Sequence, residues 1–144
     1  MGSDGFKGKT GDVGVIGMPS GMVAESLIVA VQADAAGHAA RKAGAAIAKR
    51  AGEKAVTFYG AGDAEAQSQI AFGYALRRYK FTVYKTEEED ATPGAVTFAS
   101  AAADEVARLS QPLAALAEGV FFTRDLVNEP ANILTTGDFA ARLA

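Results

Sequence analysis

One histidine, no cysteine and a run of four adjacent carboxylates are the groups from which this 144-residue chain would have to build chemistry. The lack of cysteine removes disulfides, thiolate zinc sites, iron–sulfur clusters and thiol nucleophiles, and fits a reducing compartment. His38 lies in an Ala-rich helical segment with no triad identifiable around it, so it reads as a surface or boundary residue rather than a base. Glu87, Glu88, Glu89 and Asp90 precede Thr92, Pro93 and Gly94 and lack the alternating spacing of a cation-binding loop, which leaves a solvated acidic loop. Asp104 and Glu105 are helix-start charges favoured by the macrodipole.

Glycine patterns offer little more. Those at 8, 11, 14, 17 and 21 lead into a strand, whereas a phosphate-cradling loop must open a helix. Gly60, Ala61, Gly62 and Asp63 are better placed, after a strand and before a helix at the carboxyl edge of a sheet, although a plain turn is the simpler account. Arg41 and Lys42, and separately Arg77, Arg78 and Lys80, form small basic clusters that suit solvated helix faces or an anionic partner or neighbouring subunit. From these residues no catalytic, cofactor-binding or metal-ligating position is assigned.

The elements that would position such groups follow from composition and periodicity. Apolar residues make up 49% and charged residues 22%, as in a folded domain with its own core, and a net charge of −3 argues against nucleic-acid binding. No stretch is long and apolar enough for a membrane span, and the first residues lack a signal peptide's apolar region, so the expected location is the cytoplasm.

Val13 to Ile16 and Met22 to Val31 read as two strands joined by a turn at Pro19 to Gly21, the second covered on both faces. Ala35 to Arg50 reads as a helix capped by Asp34 and stopped at Gly52, with Ala36, Ala40, Ala43 and Ile47 close against a sheet. A strand over Lys54 to Tyr59 and a helix from Asp63 to about Tyr79 follow. Phe81 to Lys85 have strand propensity but also suit an excursion from the helix end. After the acidic loop, Ala95 to Ala99 form a strand.

A helix begins at Asp104 and is expected to break at Ser110 and Gln111, with Pro112 opening a new helix to about Val127. The new helix carries a stripe of Leu113, Leu116, Val120, Arg124 and Val127, with Phe121 beside it. Pro130 enforces its stop, and Thr135 with Asp138 approximates a capping box for a last helix. Alternating strands and helices place the chain in the α/β class.

The run from Thr123 to Thr135, with Arg124, Asp125, Leu126, Val127, Asn128, Glu129, Pro130, Ala131 and Asn132 at its centre, closely resembles a stretch of the leucyl (cytosol) aminopeptidase family. Gly5 to Lys9, Arg41 to Gly44 and Tyr79 to Thr86 are similar to that family in the same order, so the resemblance covers nearly the whole chain. It implies a mixed sheet flanked by helices, macro-domain-like, ending in an interdomain linker helix. Residues 1–111 would be the macro-like N-terminal domain without its first strand and helix, 112–132 the linker helix and hinge, and 133–144 the start of a catalytic domain cut short. It also favours the helix-end excursion at Phe81 to Thr86.

Members of the family remove N-terminal residues, preferentially leucine, from peptides with two divalent ions, manganese, zinc or magnesium, that activate a water and polarise the scissile carbonyl. The family's metal ligands and catalytic residues belong to the C-terminal domain, and none of those motifs occurs here, so the catalytic, cofactor and metal sites of this segment are expected to be empty. Expected partners are its own catalytic domain and further copies in a hexamer, with peptide substrates for the parent protein. What carries over is the hinge, Asn128, Glu129, Pro130, Ala131 and Asn132, where Pro130 ends the helix and the asparagines are expected to bond local backbone. The alternative is a free-standing macro-like domain binding ADP-ribose or another nucleotide near Gly60 to Asp63.

Overall fold

A computed structural model describes residues 7–9, 12–31, 37–59, 62–84 and 94–144. In chain order the elements are β1 (Val13–Gly17), β2 (Ser26–Ala30), α1 (Gly37–Ala51), β3 (Val56–Tyr59), α2 (Ala64–Arg77), β4 (Val96–Ala99), α3 (Ala103–Asn128) and α4 (Thr136–Leu143). The class is mixed α/β, as the sequence implies. Among the described residues the strands form two sheets of two strands each, β1 with β2 and β3 with β4.

The first sheet is an antiparallel hairpin in which Val15 faces Ile28. Its reversal uses Met18 at φ 46° and Gly21 at φ 79°, left-handed conformations that tighten the turn after Pro19. The expectation that β2 is covered on both faces is corrected: Val29 is exposed while its neighbours are half-buried, the one-sided pattern of a hairpin strand. β3 and β4 are parallel, with Phe58 opposite Phe98 and their rings stacked at 4.5 Å. Phe58 also meets the edge of Tyr74, and these residues with Ala48 and Ala51 form the core beneath the helices.

The small side chains of α1 serve a second helix as well as the sheet. Ala39, Ala40, Ala43 and Gly44 are buried, and a methyl group at Gly44 would fall on the carbonyl oxygen of Ile70 in α2. A methyl at Gly73 of α2 would likewise fall on the Arg41 carbonyl, so two glycines let the backbones touch at the crossing. Asp63 caps α2 by accepting the Ala66 N–H at 2.8 Å. The expected Asp34 cap lies outside the described residues.

Two expectations are overturned further on. No break occurs at Ser110 and Gln111: α3 continues through Pro112 for 26 residues. Proline removes one N–H and crowds the carbonyl of Arg108, but both residues are exposed, so the freed oxygen stays open to solvent and the helix persists. The predicted stripe is the packed face only in part: Leu113, Val120 and Phe121 are half-buried, but Leu116 and Val127 are exposed and the buried residues are Val106 and Ala117. α2 is the helix α3 lies against, and a single neighbour covers a narrow stripe. Phe81 to Tyr84 form no strand and instead make a short turn in which Phe81 and Tyr84 meet edge to face, in line with the excursion; Lys85 lies outside the described residues.

Candidate interdomain hinge

The carboxyl end of α3 is fastened to the end of α2 through Tyr79. Its hydroxyl donates to Asp125 Oδ1 at 2.6 Å and accepts from Asn128 Nδ2 at 3.1 Å. The Arg124 guanidinium lies 3.9 Å from the Tyr79 ring centre, Phe121 stacks on the same ring, and Arg124 also donates to the Leu76 carbonyl. Desolvation, and then the hydrogen bond to Asp125, push the Tyr79 hydroxyl above its usual range, so it remains a donor. Four residues of the Thr123 to Asn128 stretch and its approach thus clasp one aromatic side chain.

Just beyond, the chain turns. Glu129 caps α3 through its N–H to the Asp125 carbonyl, and the Pro130 carbonyl accepts from Ile133 and Leu134. The Glu129 side chain, only 7% exposed, accepts both guanidinium arms of Arg142 in α4 at 2.6 and 3.0 Å. This bidentate pair holds the last helix against the end of α3. Desolvation, followed by the charge of nearby Glu129, pushes the Tyr84 hydroxyl up. Thr135 and Asp138 form a full capping box at the start of α4, and the bond from Thr135 holds the Asp138 carboxyl below its usual range.

The candidate hinge residues Asn128, Glu129, Pro130, Ala131 and Asn132 sit where α3 gives way to α4. The expectation that its asparagines bond local backbone is corrected at Asn128, whose amide reaches the Tyr79 side chain instead. Ala131 and Asn132 are exposed in the turn. Sequence reasoning did not single out Tyr84 or Arg142, because their link to Glu129 spans separate elements and leaves no local pattern. The only signal was chemical: an arginine and a buried-side glutamate 13 positions apart across a proline turn.

Other sequence candidates disperse. His38 is exposed on α1, and Gly8, Gly17 and Gly21 have open space around them. Of the Gly60 to Asp63 motif, the described part is Gly62 in a left-handed turn and Asp63 committed to its cap; Gly60 and Ala61 lie outside the described residues, as do Glu87 to Asp90. Arg78 and Lys80 both pair with Glu53, at 2.6 and 2.9 Å, while Arg41, Lys42 and Arg77 are exposed. Glu105 pairs with Arg108 in the first turns of α3, and Asp104 is exposed beside it.

Among the described residues no group of three or more His, Asp or Glu side chains converges to hold a metal ion, so these residues do not fit the ions of a two-metal hydrolase. No helix among them is long and apolar enough to cross a membrane.

No family model matches the chain. Individual proteins do. A "Probable cytosol aminopeptidase" of Cereibacter sphaeroides is 48% identical over 137 residues, which cover 94% of this chain and 28% of that protein. A protein of the same name from Dinoroseobacter shibae is 44% identical over 136 residues, and one from Caulobacter vibrioides 38% identical over 148. Among solved structures the bottromycin maturation enzyme BotP is similar at a TM-score of 0.73 and 27% identity, over 96% of this chain and 31% of that one. The same enzyme in complex with Mn gives a TM-score of 0.72. The chain thus spans less than a third of the length of each of these proteins, and along nearly its whole length it corresponds to the N-terminal segment of the leucyl (cytosol) aminopeptidase family.

Proposed function

We propose that this chain is the non-catalytic N-terminal segment of a metal-dependent leucyl aminopeptidase, and that it works by carrying and orienting the catalytic part rather than by chemistry of its own. The observation that supports this best is the match over 94% of the chain to proteins named cytosol aminopeptidase, of which it spans 28%. The hinge adds a mechanism: Tyr79 fixes the end of α3, and the Glu129–Arg142 pair sets the direction in which α4 leaves it. In the parent protein, a cytoplasmic homo-hexamer by this reading, two divalent ions outside these residues supply water activation for removal of N-terminal leucine from peptides. The described residues bring no ligand set to that reaction, so no chemical step is assigned to them.

The test compares the parent polypeptide with the 144-residue chain on leucine p-nitroanilide, with and without added manganese. The parent is expected to turn over and the chain to show no metal-dependent hydrolysis. Turnover by the pure chain, or a parent inert to leucine substrates, would overturn the proposal.

A further inference from the structure

The chain holds sulfur only in three methionines, since it has no cysteine, and two of the three, Met18 and Met22, sit in the turn between β1 and β2. Met1 lies outside the described residues. The turn is held by its main chain: the Met18 N–H donates to the Glu25 carbonyl at 2.8 Å, and the Met22 N–H to the Pro19 carbonyl at 3.3 Å. Neither bond uses a thioether. Met18 stands at φ 46°, a left-handed conformation unusual for a long side chain, and that side chain is 88% exposed and outside the core. Met22 is 46% exposed, and Val23 next to it is fully open.

A thioether in this position is an acceptor for one oxygen atom. The sulfur lone pair attacks an oxygen of a hydroperoxide, the S–O bond forms as the O–O bond breaks, and the departing oxygen takes up the proton and leaves as water or an alcohol. Sulfur gives up two electrons and the peroxide gains them. Thiolates are the usual competitors for such oxidants, and this chain has none. The sulfoxide is polar where the thioether was apolar, which disrupts a core when the methionine is buried. Met18 is not buried, and the hydrogen bonds of the turn are main-chain bonds that the sulfoxide leaves in place. Oxidation therefore changes the character of the surface made by Met18, Met22 and Val23 without removing a contact that holds the fold.

We propose that the β1–β2 turn is a reversible modification site for small hydroperoxides, in which Met18 takes the first oxygen and Met22 follows, and that the sulfoxides turn an apolar surface polar while the chain stays folded. A dithiol reductase restores each thioether: the oxygen leaves as water, and the reductase keeps the disulfide it forms. The order follows from exposure, since a small peroxide reaches the Met18 sulfur with little protein around it. The site uses the geometry of the turn alone and is independent of the aminopeptidase reading.

Hydrogen peroxide added to the 144-residue chain, with fragment-ion mass spectrometry of the peptide that holds both methionines, tests it. Met18 is expected to gain oxygen at least about twofold faster than Met22, and the two rates are expected to converge in concentrated urea, where the turn is gone. Equal rates in the folded chain, or Met22 ahead, overturn the proposal. The Tm of the oxidised chain should lie within about 3 °C of that of the untreated chain; a larger fall means that a thioether packs into the fold, and overturns it. Oxidised chain is also expected to elute earlier from a hydrophobic-interaction column, and unchanged elution counts against the change of surface. Met18→Leu keeps the apolar bulk and removes the sulfur, so it should lose most of that shift. A full shift in Met18→Leu overturns the assignment to Met18.

Discussion

Glu129 ties the end of α3 to α4 through one side chain. It is nearly buried, and it holds two hydrogen bonds from Arg142. Glu129→Gln keeps the shape and removes the charge, which should weaken the pair with the part-exposed arginine. Amides of α4 are then expected to exchange about fivefold faster, with the rest of the chain unaffected, and unchanged α4 exchange would show that the pair does not hold the helix. Glu53 is the matching case for pH. Hydrogen bonds from Lys80 and then Arg78 hold its carboxyl below the usual glutamate range, so its contribution is complete above that range and is lost as pH falls through the lowered folded value. Denaturant titrations from pH 6 downward should therefore show a steeper loss of stability for the native chain than for Glu53→Gln, and parallel curves would exclude a role for this residue.

At the scale of elements the α1–α2 crossing is the least forgiving part of the molecule. Gly44→Ala or Gly73→Ala puts a methyl group onto the backbone of the facing helix, and each is expected to destabilise by about 3 kcal/mol because two packed helices must separate. Gly119, exposed on α3 with open space at the same position, provides the opposite outcome. Gly119→Ala should stabilise by about 0.5–1 kcal/mol through helix propensity alone, and urea midpoints of the three variants distinguish crowding from propensity. The continuity of α3 carries the same lesson. Local rules placed a break before Pro112, but a solvent-facing proline costs one hydrogen bond, and a long helix resting on α2 absorbs that cost.

For the whole molecule, large apolar side chains stand exposed among the described residues, and the aminopeptidase reading expects the parent to cover them. Met18 is 88% exposed and Val127 78%, and Phe139 and Leu143 add to this on α4. Isolated chain should therefore enhance the fluorescence of a hydrophobic dye, with the enhancement largely abolished in the parent; equal dye binding by both would mean that these residues remain uncovered there. Composition, alternation and capping residues by themselves determined that the chain is α/β, where most of its strands and helices lie, that Asp63 and Thr135 start helices, and that Pro130 ends one. These are effects of near neighbours along the chain, written in short windows of sequence. Tertiary structure alone decided that α1 meets α2 through Gly44 and Gly73, that Tyr79 gathers Arg124, Asp125 and Asn128, and that Glu129 pairs with Arg142. Such contacts depend on which surfaces the fold brings together, and a helix face or a carboxylate carries no local mark of the partner it will find across space.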